Sequence, residues 1–236
     1  MRHVTETSPA GGSALFQLDP DDQIKHRDRV RDLAEVYTHQ REVTAMLDLV
    51  PDMFPSEVDP DNHDKTFLEP AMGHGNFLVE ILRRKLTTVT VARYGAGEEY
   101  EHRMLRCLTS IYGIDIDPEN VEDSRRRMYA VITAHVGDPT GRTDGFWSAV
   151  ETVLSTNLVR ADTLVDAQAV EVISYEPAAG GGFLREWSTL EESSADSQLD
   201  LFEALPDEPR RDASPVHYTQ LAANPKPVEV KRRGKK

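Results

Sequence analysis

The sequence has 236 residues, of which 39% are hydrophobic and 29% charged, a balance typical of one globular domain with tails or at most two small domains. Its apolar stretches are interrupted within a few residues, which excludes a membrane-spanning helix of about 20 apolar residues. The formal net charge of −14 has the wrong sign for a protein that binds nucleic acid mainly through its overall electric field.

The N-terminal residues contain no apolar run typical of a secretory signal. The single cysteine, Cys107, excludes an internal disulfide and a thiolate metal cluster, and the histidine spacing gives no metal site. Cys107 lies within an apolar-faced helix and is expected to be inert packing. We therefore expect a cytoplasmic protein without a metal or a membrane partner.

Three segments follow from the composition along the chain. Residues 1–26 predict a disordered lead-in. Residues 27–175 alternate apolar residues at helical spacing with short β-rich runs, which is typical of an α/β domain. Residues 176–236, first acidic and then basic, predict a largely disordered tail, because they lack enough apolar residues to form a core of their own.

The elements of the α/β segment can be taken in chain order. The pattern predicts a helix over 43–50 stopped by Pro51, with Val43, Met46, Leu47 and Val50 on one face. It then predicts a strand over 66–68, a glycine turn, a helix from Phe77, a helix over 98–108, a strand over 111–114, a helix from Pro118, a helix over 145–154 and a strand over 157–159. Residues 170–173 are a candidate for one last strand.

The glycine turn between the first strand and its helix contains Gly73 and Gly75. Residues without a side chain allow the backbone to approach a ligand closely, and the helix that follows begins with unpaired N–H groups. A G-x-G pattern alone is weak evidence for such a site, because ordinary turns between a strand and a helix also contain it.

Four stretches, however, resemble motifs of the S-adenosylmethionine-dependent N6-adenine DNA methyltransferases, in the order of that family. Residues 67–78 (FLEPAMGHGNFL) resemble its cofactor motif, and residues 29–38 resemble its opening motif, with Ala34 and His39 in place of the usual Gly and Pro. Residues 111–118 (IYGIDIDP) resemble its second-strand motif and 161–164 (ADTL) its third. The resemblance implies a Rossmann-like, three-layer methyltransferase fold with a mostly parallel sheet over residues 27–175.

The resemblance also assigns roles to residues. Glu69 would face the methionine part of S-adenosylmethionine and Asp162 would accept the adenine amino group. Asp115, at the end of the second strand, has a carboxylate suited to both ribose hydroxyls. The full set of expected cofactor-binding residues is Tyr37, Thr38, Glu69, Pro70, Ala71, Gly73, Gly75, Phe77, Asp115, Ile116, Asp162 and Thr163.

Two further interpretations concern the neighbourhood of Asp115. Asp117, before Pro118, is either a helix cap or a ligand contact, and its position favours the cap. The distance along the sequence from Gly75 to Asp115 is about twice the usual one, so residues 85–106 are predicted to be an insertion with a helix of its own.

The family's catalytic tetrad, [DN]-P-P-[YFW], is missing from the sequence. The nearest string, residues 224–227 (NPKP), lacks the aromatic residue that would stack on a flipped base. We also expect no target recognition domain within these residues. Catalytic residues therefore stay unassigned, and DNA is expected to be bound together with a partner subunit.

A pentapeptide in the acidic tail, Gln198-Leu199-Asp200-Leu201-Phe202, resembles the peptide with which bacterial replication and repair proteins bind the β sliding clamp. Leu201 and Phe202 would enter an apolar pocket on the clamp. The alternative is an amphipathic segment that packs back on its own domain through Leu199, Phe202 and Leu205.

These observations leave two main hypotheses for function. The first is an adenine-N6 DNA methyltransferase-like protein of a modification system, which needs a partner chain for catalysis or has lost it. The second is a non-catalytic scaffold or adaptor that keeps the cofactor fold and is tethered to the sliding clamp or to modification-system subunits. A small-molecule methyltransferase fits the residues around Gly73 less well.

Overall fold

The structure, a computed structural model, describes residues 38–165, 167–190 and 210–228. The described helices are α1 (Gln40–Leu47), α2 (Asn76–Leu86), α3 (Val91–Tyr94), α4 (Glu98–Thr109), α5 (Pro118–Val136) and α6 (Asp144–Asn157). The strands are β1 (Phe67–Glu69), β2 (Ile111–Asp115), β3 (Leu158–Arg160), β4 (Glu171–Ala178), β5 (Gly182–Thr189), β6 (Arg210–Arg211) and β7 (Val216–His217). The predicted α/β class is confirmed, and so is a helical insertion between the first two strands, which contains α3 and α4.

The first sheet is parallel and has the order β1-β2-β3. Phe67 of β1 lies beside Ile111 of β2, and Gly113 of β2 lies beside Leu158 of β3. All three strands therefore end at one edge of the sheet, where Glu69, Asp115 and Arg160 lie.

The middle of β2 is packed tightly against the segment that follows β1. A Cβ atom added to Gly113 would lie 2.5 Å from the Met72 sulfur and 2.7 Å from a Leu78 methyl carbon. Real Cβ atoms do not approach other atoms this closely, so a side chain at this position would displace the buried side chains of Met72 and Leu78. The close contact brings α2 and the turn before it directly onto the sheet.

The predicted apolar face of the first helix is only half correct. Val43 and Leu47 of α1 are buried, but Met46 and Val50 are exposed. The helix ends at Leu47, before the stop signal of Pro51, which begins a short 3-10 turn instead. The side chain of Arg84 joins α2 to α1, because its guanidinium donates to the Thr44 carbonyl.

The loop before β1 is attached to the core by a buried lysine. Lys85 is fully buried, and its Nζ donates to the carbonyls of His63 and Lys65 at 2.7 and 2.6 Å. Burial lowers the pKa of this amine to about 8. The amine thus has two backbone carbonyls as acceptors, whereas a buried lysine more usually pairs with a carboxylate. Because both carbonyls belong to the loop that leads into β1, the contact holds this loop in place.

The prediction that the chain beyond residue 175 is largely disordered is wrong for residues 176–190 and 210–228. Strands β4 and β5 form an eight-pair antiparallel hairpin, and β6 and β7 add to β5. The prediction of a mostly parallel sheet therefore holds for β1 to β3 alone. Residues 191–209 and 229–236 lie outside the described part of the chain.

This sheet contains a buried ion pair, although its segment of the sequence is rich in charge. Arg185 is 2% exposed and its guanidinium donates to both oxygens of Asp212, at 2.8 and 3.1 Å. It lies between Phe183 and Trp187, which are also buried. Arg185 thus occupies a core position of β5, and the strand keeps the alternation of buried and less buried residues.

The antiparallel sheet and the turn after β7 contact β2 and α4 through polar side chains. The Tyr112 hydroxyl donates to the Ile173 carbonyl at 2.8 Å, and the His102 ring contacts the Gly182 carbonyl at 3.1 Å. Tyr218 donates to Glu101 of α4 at 2.5 Å. Within the described residues, no helix is long and apolar enough to cross a membrane.

Candidate functional site

The glycine turn, residues 70–75, lies over the carboxyl end of β2. The backbone N–H of Met72 donates to the Ile114 carbonyl at 2.9 Å, and that of Gly73 donates to Asp115 Oδ2 at 2.8 Å. Gly73 has a φ of 51°, in the left-handed region. The turn and the end of the neighbouring strand thus form one hydrogen-bonded unit.

Gly75 lies where the turn meets α5. Its φ is 74°, and a Cβ atom at this position would lie 2.7 Å from Ser124 Oγ and 3.0 Å from Ser124 Cβ. The missing side chain therefore makes room for α5, and it permits close packing between the turn and this helix. The predicted contact of Gly75 with a cofactor stays a prediction.

Asp115 is the most heavily used polar side chain of the site, and it is 8% exposed. Its carboxylate accepts from Gly73 N, from Asp117 N at 2.9 Å and from Asn120 Nδ2 at 3.2 Å. A carboxylate offers about four acceptor positions. Donors of the protein itself therefore take most of these positions. About one is left for a ligand, whereas the prediction that Asp115 accepts both ribose hydroxyls needs two.

Asp117 caps α5, as its sequence position favoured. Its Oδ1 accepts from the N–H of Glu119 at 2.8 Å, and Pro118 occupies the first turn of the helix. The cap directs the chain from β2 into α5 immediately after Asp115.

Glu69 ends β1 at the same edge. Its Oε1 accepts from the Ala71 N–H at 3.3 Å, and burial raises the pKa of the carboxyl above its usual value. A positive charge nearby would offset this cost of burial and favour the ionised form. Glu69 is therefore suited to face a cation.

The end of β3 meets the other two strands. The Ala161 N–H donates to the Asp115 carbonyl at 3.0 Å, and the Thr163 hydroxyl donates to the Pro70 carbonyl at 3.4 Å. Asp162 accepts from the Leu164 N–H at 3.0 Å, a local turn that leaves its other oxygen available. The segment after β3 thus lies beside the glycine turn.

The structure places the other predicted cofactor-binding residues as follows. The Thr38 carbonyl accepts from Asn76 Nδ2 at 3.0 Å, so Thr38 is held at the start of α2. Phe77 is partly buried against the core, whereas Pro70 and Ala71 are exposed and Ile116 is 49% exposed. Tyr37 and the pentapeptide from Gln198 to Phe202 lie outside the described residues, and their assignments stay predictions.

Exposed apolar side chains surround this edge of the sheet. Leu68 in the middle of β1 is 45% exposed, and Ile116, Leu164 and Val165 follow the ends of β2 and β3 with exposures of 49, 95 and 75%. Single exposed apolar residues are common, but several near the ends of neighbouring strands are a candidate for a binding surface.

Sequence reasoning missed the polar face of α5. Asn120, Asp123, Ser124 and Arg127 recur at i, i+3, i+4 and i+7 and so lie on one face of the helix. Ser124 donates to the Gly73 carbonyl at 3.0 Å, and Asp123 lies 3.4 Å from the His74 ring. The spacing is visible in the sequence, but polar residues at helical spacing are also typical of an ordinary solvent-exposed helix face.

Two cavities border residues of this region. One of about 430 Å³ lies between α2 and α5, and one of about 460 Å³ lies beside β3 near Arg160 and Glu171. Among the described residues, no group of three or more His, Cys, Asp or Glu side chains could hold a metal ion.

A scan against protein-family models, a search of curated proteins and a search of solved structures each gave no match. The functional assignment therefore depends on the residues of this chain and on their geometry.

Proposed function

We propose that this protein binds S-adenosylmethionine at the carboxyl ends of β1, β2 and β3 in a Rossmann-like fold. The observation that carries the proposal is the hydrogen bond from Gly73 N to Asp115 Oδ2. It joins a glycine turn before a helix to an acid at the end of the next parallel strand. In open α/β sheets, nucleotides bind in the crevice outside these strand ends.

The chemistry of the edge agrees with a ligand of this kind. S-adenosylmethionine carries an adenosine, an amino group and a positive sulfonium. Glu69 is a half-buried carboxyl that a cation would stabilise, Asp162 has an oxygen available for the adenine amino group, and Ile116 offers an apolar surface for the ring. Asp115 keeps about one acceptor position for a ribose hydroxyl.

The reaction we propose is the transfer of the methyl group to adenine N6 in DNA, as part of a modification system in the cytoplasm. The sequence contains no [DN]-P-P-[YFW] tetrad, so a partner subunit would supply the groups that hold the flipped base. The exposed apolar residues at the same edge, Leu68, Leu164 and Val165, would contact that subunit.

The second candidate is a scaffold that keeps the cofactor fold without catalysis. It is favoured by the same apolar surface, because such a surface can bind a partner whether or not a methyl group is transferred.

The test measures methyl transfer from tritiated S-adenosylmethionine to mixed genomic DNA by the isolated chain. It distinguishes both candidates from an enzyme that methylates DNA without a partner subunit. We expect little or no incorporation by the isolated chain, although the cofactor binds. Strong incorporation at adenine would show that the chain contains its own catalytic groups and would refute the need for a partner.

A further inference from the structure

We propose that Arg127 of α5 is a positioning residue that holds the glycine turn in shape and joins it to Thr38. This inference deepens the proposed function, on which it rests for the identity of the ligand. Arg127 Nη1 donates to the His74 carbonyl and, at 2.8 Å, to Asn76 Oδ1. Asn76 in turn donates from Nδ2 to the Thr38 carbonyl at 3.0 Å.

One guanidinium nitrogen thus connects two segments that are far apart in sequence. Without it, the amide of Asn76 would lose the contact that fixes the orientation of its side chain. The Asn76 side chain could then leave the rotamer in which its Nδ2 donates to the Thr38 carbonyl. Arg127 therefore reaches Thr38 through Asn76.

Two consecutive carbonyls of the turn face α5. Ser124 donates to the Gly73 carbonyl and Arg127 to the His74 carbonyl. In a trans peptide the N–H points opposite to the C=O, so the His74 N–H points away from α5. The polar face of α5 therefore sets the direction of the peptide dipoles at Gly73 and His74.

The same face fixes the acid of the site. Asn120 Nδ2 donates to Asp115 Oδ1, and Asp115 Oδ2 accepts from Gly73 N. Asn120, Ser124 and Arg127, at successive turns of one helix, thus position the end of β2, the first half of the turn and the second half. Groups held in this way are pre-organised, which improves binding because less order has to be imposed by the ligand.

The test compares Arg127→Met with Arg126→Met. Arg126 is the next residue on the same helix, its side chain is 74% exposed and it pairs with Asp123, so its variant matches the change in charge. Hydrogen exchange is measured on the unliganded protein over residues 72–78. The N–H groups of Met72, Gly73 and Gly75 all have protein acceptors, so they are protected while the turn keeps its shape.

We expect Arg127→Met to increase exchange of these amides by about tenfold or more, because a charged donor with two acceptors is removed. Amides of β2 and β5 should exchange at the wild-type rate, which a merely structural role in the core would not allow. Asn76→Ala provides a second variant should Arg127→Met not fold. It removes the donor to the Thr38 carbonyl and one of the two acceptors of Arg127, so it should also increase exchange in the turn, by less than Arg127→Met. Equal exchange in Arg127→Met, Asn76→Ala and Arg126→Met would overturn the proposal.

Titration with S-adenosylmethionine keeps this proposal distinct from the proposed function. If the wild type binds, Arg127→Met should bind about tenfold more weakly and Arg126→Met should be unchanged. Equal affinities in the two variants would count against the positioning role. A wild type that does not bind would refute the proposed function alone, since hydrogen exchange in the turn still decides whether Arg127 positions it.

Discussion

Replacing Gly75 by alanine tests whether the turn is packed against α5 as described. Alanine at a φ of 74° costs about 1–2 kcal/mol, because its Cβ approaches the following carbonyl oxygen. The new Cβ would also lie 2.7 Å from Ser124 Oγ and 3.3 Å from the Ser124 backbone. Ser124 is fully buried, so it cannot move aside into solvent, and such overpacking costs about 1–3 kcal/mol.

We therefore expect Gly75→Ala to lower the free energy of unfolding by about 2–5 kcal/mol. The matched control is Gly180→Ala, in the turn between β4 and β5. Gly180 has a φ of 66° but no atom within 4 Å of an added Cβ, so this variant should lose only the backbone contribution of about 1–2 kcal/mol. Urea unfolding followed by circular dichroism measures both. Equal losses in the two variants would refute the close approach of Ser124 to the turn.

Three further predictions concern other parts of the chain. Asp212→Ala should lower the free energy of unfolding by about 3–5 kcal/mol because it leaves the Arg185 charge buried and unpaired, whereas Glu171→Ala, which breaks the exposed pair with Arg210, should cost about 1 kcal/mol or less; equal losses in urea unfolding would refute the buried pair. Burial lowers the pKa of His63 from 6.5 to about 4, so the unfolded chain takes up this proton first as the pH falls. Stability should decrease between about pH 6.5 and 4, by about 3 kcal/mol at most for this group, and a His63→Phe variant with the same pH slope as the wild type would contradict the assignment. A labelled peptide of residues 194–206 should bind bacterial β clamp with about micromolar affinity by fluorescence anisotropy, and a peptide with Leu201→Ala and Phe202→Ala should not; no binding up to hundreds of micromolar clamp would leave packing against the domain as the interpretation.

The parallel sheet could be predicted because its signals are local. Each strand is a short apolar run that ends in a polar residue or a turn, and each helix repeats apolar residues at helical spacing. Asp117 illustrates this well, since a cap followed by proline is recognisable within three residues. At the end of α1 only the predicted boundary is wrong. The helix ends at Leu47, and Pro51, which was expected to stop it, begins the 3-10 turn that follows.

The antiparallel sheet could not be predicted from composition because its key contact is not local. Arg185 counts as one of the charges of an acidic segment until Asp212, far along the chain, neutralises it. Once the pair is formed, Arg185 takes a buried position between Phe183 and Trp187, and the alternation of a strand becomes visible. The glycine turn shows a similar limit, since the sequence indicates that Gly75 is special but not that its neighbour is Ser124.

The central claim is that S-adenosylmethionine binds at the carboxyl ends of the parallel strands, and calorimetry tests it most directly. We expect measurable heat with the wild type below millimolar ligand, and about tenfold weaker binding by Asp162→Ala through a lost hydrogen bond. Asp138→Ala is the matched control, because Asp138 also caps a local turn, accepting from Thr140 N at 3.0 Å, but lies away from the strand ends; its affinity should be that of the wild type. No heat from the folded wild type at millimolar S-adenosylmethionine would contradict the claim.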